Sequence, residues 1–155
     1  MRAIPAACMG LLQTFEGFRA ARYLDTGGRP TIGYGHLLSG PADPLWDETL
    51  TEPQAEDLAN QDLARVAAQP LCVDLGDDLV AALSDGQYAA LIDFTYNEGY
   101  GRWRGSSLRT AVLARAFTAV PMHLEQWVYG QENGQEVQLA DLIRRRAAEV
   151  ALWNS

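Results

Sequence analysis

The sequence predicts an α+β fold that is mostly helical: a small N-terminal β-sheet lobe and a C-terminal helical lobe joined by a long helix. Three observations predict it. Between residues 22 and 38, turn residues and glycines (Asp25-Thr26-Gly27-Gly28, Gly33, Gly35) punctuate short runs containing Tyr23, Leu24, Thr31, Ile32 and Tyr34, the pattern of a hairpin or three-stranded sheet. Thr51-Glu52-Pro53-Gln54 then joins a capping box to a proline in the first turn, which opens a helix. From Leu79 to the C-terminus, apolar residues recur at helical rather than alternating spacing, so the second half reads as a helical bundle without strands.

The elements follow in order. Met9, Leu11, Leu12, Phe15 and Phe18 sit at roughly helical spacing, giving a short first helix that stops near Glu16 to Phe18 and packs near the helical lobe. The small lobe spans about residues 15–50 and closes on a loop holding Pro41 and Pro44. Ala55, Leu58, Ala59, Leu63, Val66 and Ala67 continue the connecting helix over 51–69, where Pro70 is expected to end it. The helical lobe, 70–155, holds runs around Ala89 to Thr95, Leu108 to Phe117, Met122 to Tyr129 and Leu142 to Trp153. With 155 residues and 48% hydrophobic composition the chain can bury a sizeable core as one domain, 1–155.

Composition narrows the function. The net charge is −8, and all twelve basic residues are arginine. They are unevenly spread: residues 51–100 hold Arg65 against ten acids, whereas 101–155 hold seven arginines against five acids. This makes the C-terminal third the basic part, with Arg102, Arg104, Arg109 and the Arg144 to Arg146 run as its expected outer charges. An acidic chain without a basic stripe interleaved with aromatics is a poor nucleic-acid binder. The apolar run Ile4 to Leu12 is too short to cross a bilayer and lacks export-signal features, so a cytoplasmic product without membrane insertion is expected. Cys8 and Cys72 have neither metal-ligand nor redox spacing and are read as free thiols, with a bridge between them as the alternative.

Glu16, Asp25 and Thr31 carry the chemistry. Singly they read as a helix-end acid, a turn former and a β-branched strand residue. Together they differ in environment: Glu16 lies among Leu11, Leu12, Phe15 and Phe18, where desolvation favours its protonated form, whereas Asp25 in an open glycine-rich turn stays ionised. Two carboxyl groups so divided suit glycoside hydrolysis, one protonating the leaving oxygen while the other supports attack by water that the Thr31 hydroxyl helps to hold.

The blocks Glu16-Gly17-Phe18-Arg19, Tyr23-Leu24-Asp25 and Thr31-Ile32-Gly33-Tyr34-Gly35-His36-Leu37-Leu38 resemble the phage-type lysozymes (glycoside hydrolase family 24), close to their T-even phage branch. Weaker blocks follow in the same order: Gln54-Ala55-Glu56, Asn60-Gln61-Asp62, Ala90-Leu91-Ile92, Asn97-Glu98-Gly99, Ser107-Leu108-Arg109, Trp127, and Arg144-Arg145-Arg146 with Glu149. The resemblance runs from about residue 10 to Trp153. It implies a lysozyme-like fold and a muramidase cleaving the β-1,4 bond between N-acetylmuramic acid and N-acetylglucosamine with inversion. Glu16 is then the general acid, Asp25 and Thr31 handle the water, and Arg145 reaches Glu16 from the last helix. Gly35 and Leu37 line the near wall of the cleft, Tyr96 and Asn97 the far wall, and His36 pairs with Asp62 to brace the small lobe. His123 has no counterpart and is expected at the surface.

No metal or other cofactor is implied. The implied partner is the peptidoglycan glycan strand, met by a monomer that needs holin-type release or a secretion system to reach the periplasmic wall. An endolysin role leads, with a lysozyme-like secreted effector or a non-catalytic wall-binding module as alternatives. Two features depart from the resemblance: the Ser39 to Leu50 loop is shorter than in the T-even members, and Asp141 stands where a glycine is frequent.

Overall fold

The computed structural model describes residues 2–25 and 27–155. Helix α1 (Ala7–Phe15) ends where predicted. The amides of Glu16 and Gly17 both return to the carbonyl of Leu12, and Gly17 takes φ +69, a left-handed cap that glycine adopts without steric cost. This stop leaves Glu16 at the end of a helix whose Cys8, Leu11 and Leu12 are buried, with α1 packed on helices of the far lobe.

Strands β1 (Arg19–Leu24), β2 (Pro30–Gly33) and β3 (His36–Leu37) form the predicted antiparallel sheet in the order β1-β2-β3. Tyr23 pairs with Thr31 and Leu24 with Pro30, while the register slips between Arg19 and Tyr23. Thr26, part of the predicted turn, lies outside the described residues; the amide of Asp25 bonds to the carbonyl of Arg29 across that turn at 2.9 Å. Tyr34 fastens the sheet to the next helix by donating to Glu52 at 2.9 Å and stacking obliquely on Phe18.

Helix α2 (Glu52–Asp62) begins at the capping box, with the Thr51 amide donating to Gln54 Oε1 at 2.8 Å. Pro70 does not end this helical column. A π-helical stretch, Leu63–Ala68, leads directly into α3 (Gln69–Leu75), and the break comes at Gly76 with φ +79. The Gln69 amide bonds five residues back to Ala64, so Pro70 falls in the first turn of α3, the helical position that best tolerates a residue without an N–H. The connecting helical column therefore runs six residues past the predicted boundary at 69.

Helices α4 (Asp77–Ala82), α5 (Asp85–Glu98), α6 (Tyr100–Gly105), α7 (Ser107–Leu113), α8 (Val120–Glu125) and α9 (Ala140–Trp153) make up the far lobe. A reciprocal cap between Ser84 and Gln87 starts α5, which is buried continuously from Tyr88 to Thr95. It is the axis around which α1, α6, α9 and the π-helical stretch pack.

Two expectations fail here. The helices expected to reach Phe117 and Tyr129 stop at Leu113 and Glu125, the first followed by a 3₁₀ turn, Phe117–Ala119. The bundle also contains a hairpin, β4 (Tyr129–Glu132) and β5 (Gln135–Gln138), turning at Asn133 and Gly134 with both φ positive. An exposed hairpin needs no apolar alternation, which hid it, but Asn-Gly is the dipeptide that two-residue hairpin turns favour.

Candidate active site

The sheet and helices α2 and α5 enclose a cleft of about 530 Å³. Glu16, Asp25, Thr31, Gly35, Leu37, Asp62, Tyr96 and Asn97 all line it, so residues predicted from separate segments meet on one hollow. His36 and Arg145 stand behind them as supports.

Glu16 is placed by two walls. Its side chain is 25% exposed, and Oε1 accepts a hydrogen bond from Arg145 Nη1 at 2.6 Å. Desolvation alone, the basis of the sequence expectation, leaves this cation out. Arg145 is itself 4% exposed and held bidentate by Asp93, with Nε to Oδ2 and Nη2 to Oδ1 both at 2.8 Å. Asp93 therefore neutralises most of the guanidinium charge, and what reaches Glu16 is chiefly a fixed, charge-assisted donor. On the other side, a Cβ at Gly35 would sit 3.6 Å from Glu16 Oε2 and 3.4 Å from the Tyr96 hydroxyl. Gly35 also has φ +90, so both conformation and space favour glycine.

Asp25 has a different setting. Oδ1 accepts from the amides of Gly27 at 2.9 Å and Arg29 at 2.8 Å; Oδ2 faces Arg29 Nε at 2.9 Å and Nη2 at 2.8 Å. The Arg29 amide first, with its guanidinium, holds the carboxyl below the usual range; these bonds, rather than the openness the sequence suggested, are the cause, since the side chain is only 18% exposed. Thr31, 2% exposed, donates its hydroxyl proton to the Arg29 carbonyl at 3.0 Å. With the proton so committed, the oxygen offers only its lone pairs to the cleft.

The far wall is built from α5. Tyr96 donates to the Tyr34 carbonyl at 3.2 Å, and burial pushes its phenol well up. Asn97 accepts from Arg146. The predicted brace is present: His36 Nδ1 lies 2.6 Å from Asp62 Oδ2, and Arg65 holds the other oxygen at 2.9 Å.

Sequence reasoning missed Arg29, Arg65 and Glu98 on the cleft, and Asp93 behind it. A lone acid inside the apolar run Leu91-Ile92-Asp93-Phe94 was a usable signal, because a buried charge needs a partner. The predicted outer basic charges also need correction. Arg145 and Arg146 are buried and Arg109 pairs with Asp74, whereas Arg102 and Arg144 are exposed as expected but paired with Glu98 and Asp141. Of the arginines named for that face, Arg104 alone has no ion pair among the described residues. Cys8 and Cys72 are free, and His123 is partly exposed at the surface, its Nδ1 3.0 Å from the Ser107 hydroxyl.

A small sheet lobe and a helical lobe, with unlike carboxyl groups on the cleft between them, define a glycoside hydrolase of lysozyme type. The sequence profile described as Phage lysozyme matches residues 13–149. The chain belongs to the phage lysozyme family. Among similar proteins is an endolysin of Acyrthosiphon pisum secondary endosymbiont phage 1, 29% identical over 94% of this chain and 93% of its own. The Bacillus phage PZA endolysin is 33% identical over 98% of this chain, which spans 55% of that protein, and a SAR-endolysin of Bacteriophage PS119 is 31% identical over 89% and 77%. Among solved structures, the muramidase domain of SpmX from Asticaccaulis excentricus is 28% identical with TM-score 0.85, covering 100% of this chain and 99% of that one.

Proposed function

We propose that the chain is an endolysin-type muramidase that hydrolyses the β-1,4 bond between N-acetylmuramic acid and N-acetylglucosamine with inversion. The observation that carries this reading is the pairing of unlike carboxyl groups on one cleft: Glu16 fixed by a neutralised arginine, Asp25 kept ionised beside a threonine oxygen free to accept. Glu16 gives its proton to the departing glycosidic oxygen. A water whose two hydrogens point to Asp25 and Thr31 presents its lone pair to the anomeric carbon from the opposite face, and Asp25 takes the proton released. Gly35 and Leu37 on one wall, with Tyr96 and Asn97 on the other, hold the sugars. The expected molecular arrangement is a monomer forming one domain over residues 1–155.

The test is the product anomer with the acid variant. Glu16→Gln should lower turnover on purified peptidoglycan by about 10²–10⁴-fold with little change in binding. NMR of freshly cleaved glycan should show the α-anomer first. A β-anomer first, or wild-type clearing by Glu16→Gln, overturns the reading.

Access to the wall is a separate matter. Among the described residues no helix is long and apolar enough to cross a membrane. A cytoplasmic product released by a holin-type pore or carried by a secretion system is the proposed route. Cells making the chain alone should stay intact and lyse when a signal peptide is fused to it; lysis without the fusion would reveal a route of its own, such as that of the SAR-endolysins.

A further inference from the structure

Asp25 has no acceptor site left for the water assigned to it. A carboxylate offers about four lone-pair positions; two donors meet Oδ1, and two nitrogens of one guanidinium flank Oδ2. The contacts to Oδ1 come from the backbone of the turn joining β1 and β2 and cannot withdraw without opening it. Those to Oδ2 come from a side chain that is 65% exposed and can rotate away at little cost.

We propose that Arg29 is a removable cap on Asp25, which a carboxylate on the glycan's substituents draws off as substrate enters, so that Oδ2 is freed for water only when a substrate is in place. This rests on the muramidase reading above. Arg29 lines the cleft, and a guanidinium fork matches a carboxylate bidentately, so a substrate carboxylate can replace what the arginine gives up. The muramic sugar bears a lactyl side chain extended by a peptide with free carboxylates, within the same glycan unit as the scissile bond. Glu16 at the end of α1, Asp62 and Arg65 on α2 and the π-helical stretch, and Glu98 on α5 face the same cleft, with the phenols of Tyr23 and Tyr96. The lowered titration of Asp25 in the free protein owes most to the Arg29 backbone amide, which stays in place; the guanidinium adds a smaller lowering, and that part is what the cap withdraws as substrate enters. The reaction stays balanced: the water proton goes to Asp25, the Glu16 proton goes to the leaving oxygen, and Arg29 changes partners without transferring one.

The experiment uses Arg29→Gln and Arg29→Lys in the full chain. Carboxyl NMR of the free proteins should show the Asp25 midpoint rising in Arg29→Gln and rising less in Arg29→Lys, which keeps the charge but not the fork. Native peptidoglycan is then compared with peptidoglycan whose carboxylates have been amidated with carbodiimide. Wild type should slow several-fold on the amidated wall, whereas Arg29→Gln should cleave both at similar rates; the ratio cancels any general effect of wall charge. An unmoved Asp25 midpoint, or an equal slowing of wild type and variant, overturns the cap. A wild-type protein that releases no reducing ends defeats the muramidase reading instead, and the NMR arm still decides whether Arg29 caps Asp25.

Discussion

Two guanidinium groups hold carboxylates beside the same cleft, and they do so in opposite ways. Arg29 reaches back four residues to Asp25 from an exposed turn, whereas Arg145 crosses 129 residues of sequence to Glu16 and 52 to Asp93 from inside the helical lobe. The first pair forms whenever one turn forms. The second exists only when α1, α5 and α9 are all in place, so the proposed acid is correctly set only in the complete fold. An exposed pair in high dielectric is weak and changeable, while a buried one is rigid and cannot lose a partner cheaply. The difference assigns flexibility to the base and fixity to the acid.

Removing a buried partner gives the largest expected effect. Asp93 is 0% exposed, and Asp93→Ala leaves the Arg145 charge buried with Glu16 alone. The expected cost is about 3–5 kcal/mol, read as a lowered urea midpoint, together with loss of activity. Replacing both partners by apolar residues, as in Asp93→Leu with Arg145→Met, sharpens the point. Folding should recover much of the loss because no charge is stranded, but activity should stay low because Glu16 has lost its donor. Recovery of both would show that Arg145 serves only the fold.

Next in size is a contrast in pH dependence. Glu149, buried beside Arg146 at 3.1 Å with neither carboxyl oxygen in an aligned hydrogen bond, is pushed well above the usual range by desolvation, which Arg146 opposes and Asp93 reinforces. The folded state therefore binds this proton more tightly than the unfolded chain. Its contribution is fully present below the ordinary value of 4.5 and is lost as pH rises through the folded value. Asp25 has the opposite sign: its lowered value stabilises above the ordinary 3.8, and that contribution is lost as pH falls through the folded value. Glu149→Gln should flatten the decline of stability on the alkaline side, whereas Asp25→Asn should flatten it on the acid side. Chemical denaturation across pH measures both, and slopes of the same sign would break the contrast.

Thr31→Val tests the sheet side of the cleft at a smaller scale. It keeps the branched shape but leaves the Arg29 carbonyl without its hydroxyl partner, an expected cost of about 1 kcal/mol. Activity should fall by more than stability explains, because the water loses one acceptor. Thr31→Ser should restore much of it, and full activity in the valine variant would remove Thr31 from the site.

The same contrast explains what the sequence made legible. The turn and strand that hold Asp25 and Thr31 are local, so glycine spacing and the β pattern announce them. Glu16 could be placed at a helix end for the same reason. Its true environment could not, because the residues that tune it come from Asp93 and Arg145, and pairing across that much chain leaves no periodic trace. The Arg145 contact was reached only through the family resemblance. The continuation past Pro70 depends on a widened helical turn, and β4 and β5 on an exposed Asn133-Gly134 turn; neither writes an apolar pattern.

The smallest expected effect is on the stability of the Arg29→Gln protein, and it separates the two regions most directly. Because its side chain is 65% exposed, the Arg29 pair should contribute only about 0–1 kcal/mol to folding, and salt should screen most of that. The Arg145 pair, at 5% and 0% exposure, should be nearly indifferent to salt. Denaturant midpoints of wild type and Arg29→Gln should therefore converge as sodium chloride rises, while the Asp93→Ala gap stays open. A large, salt-resistant loss in Arg29→Gln would mean that the arginine holds the turn together, and a residue needed for the turn cannot leave Asp25 when substrate arrives.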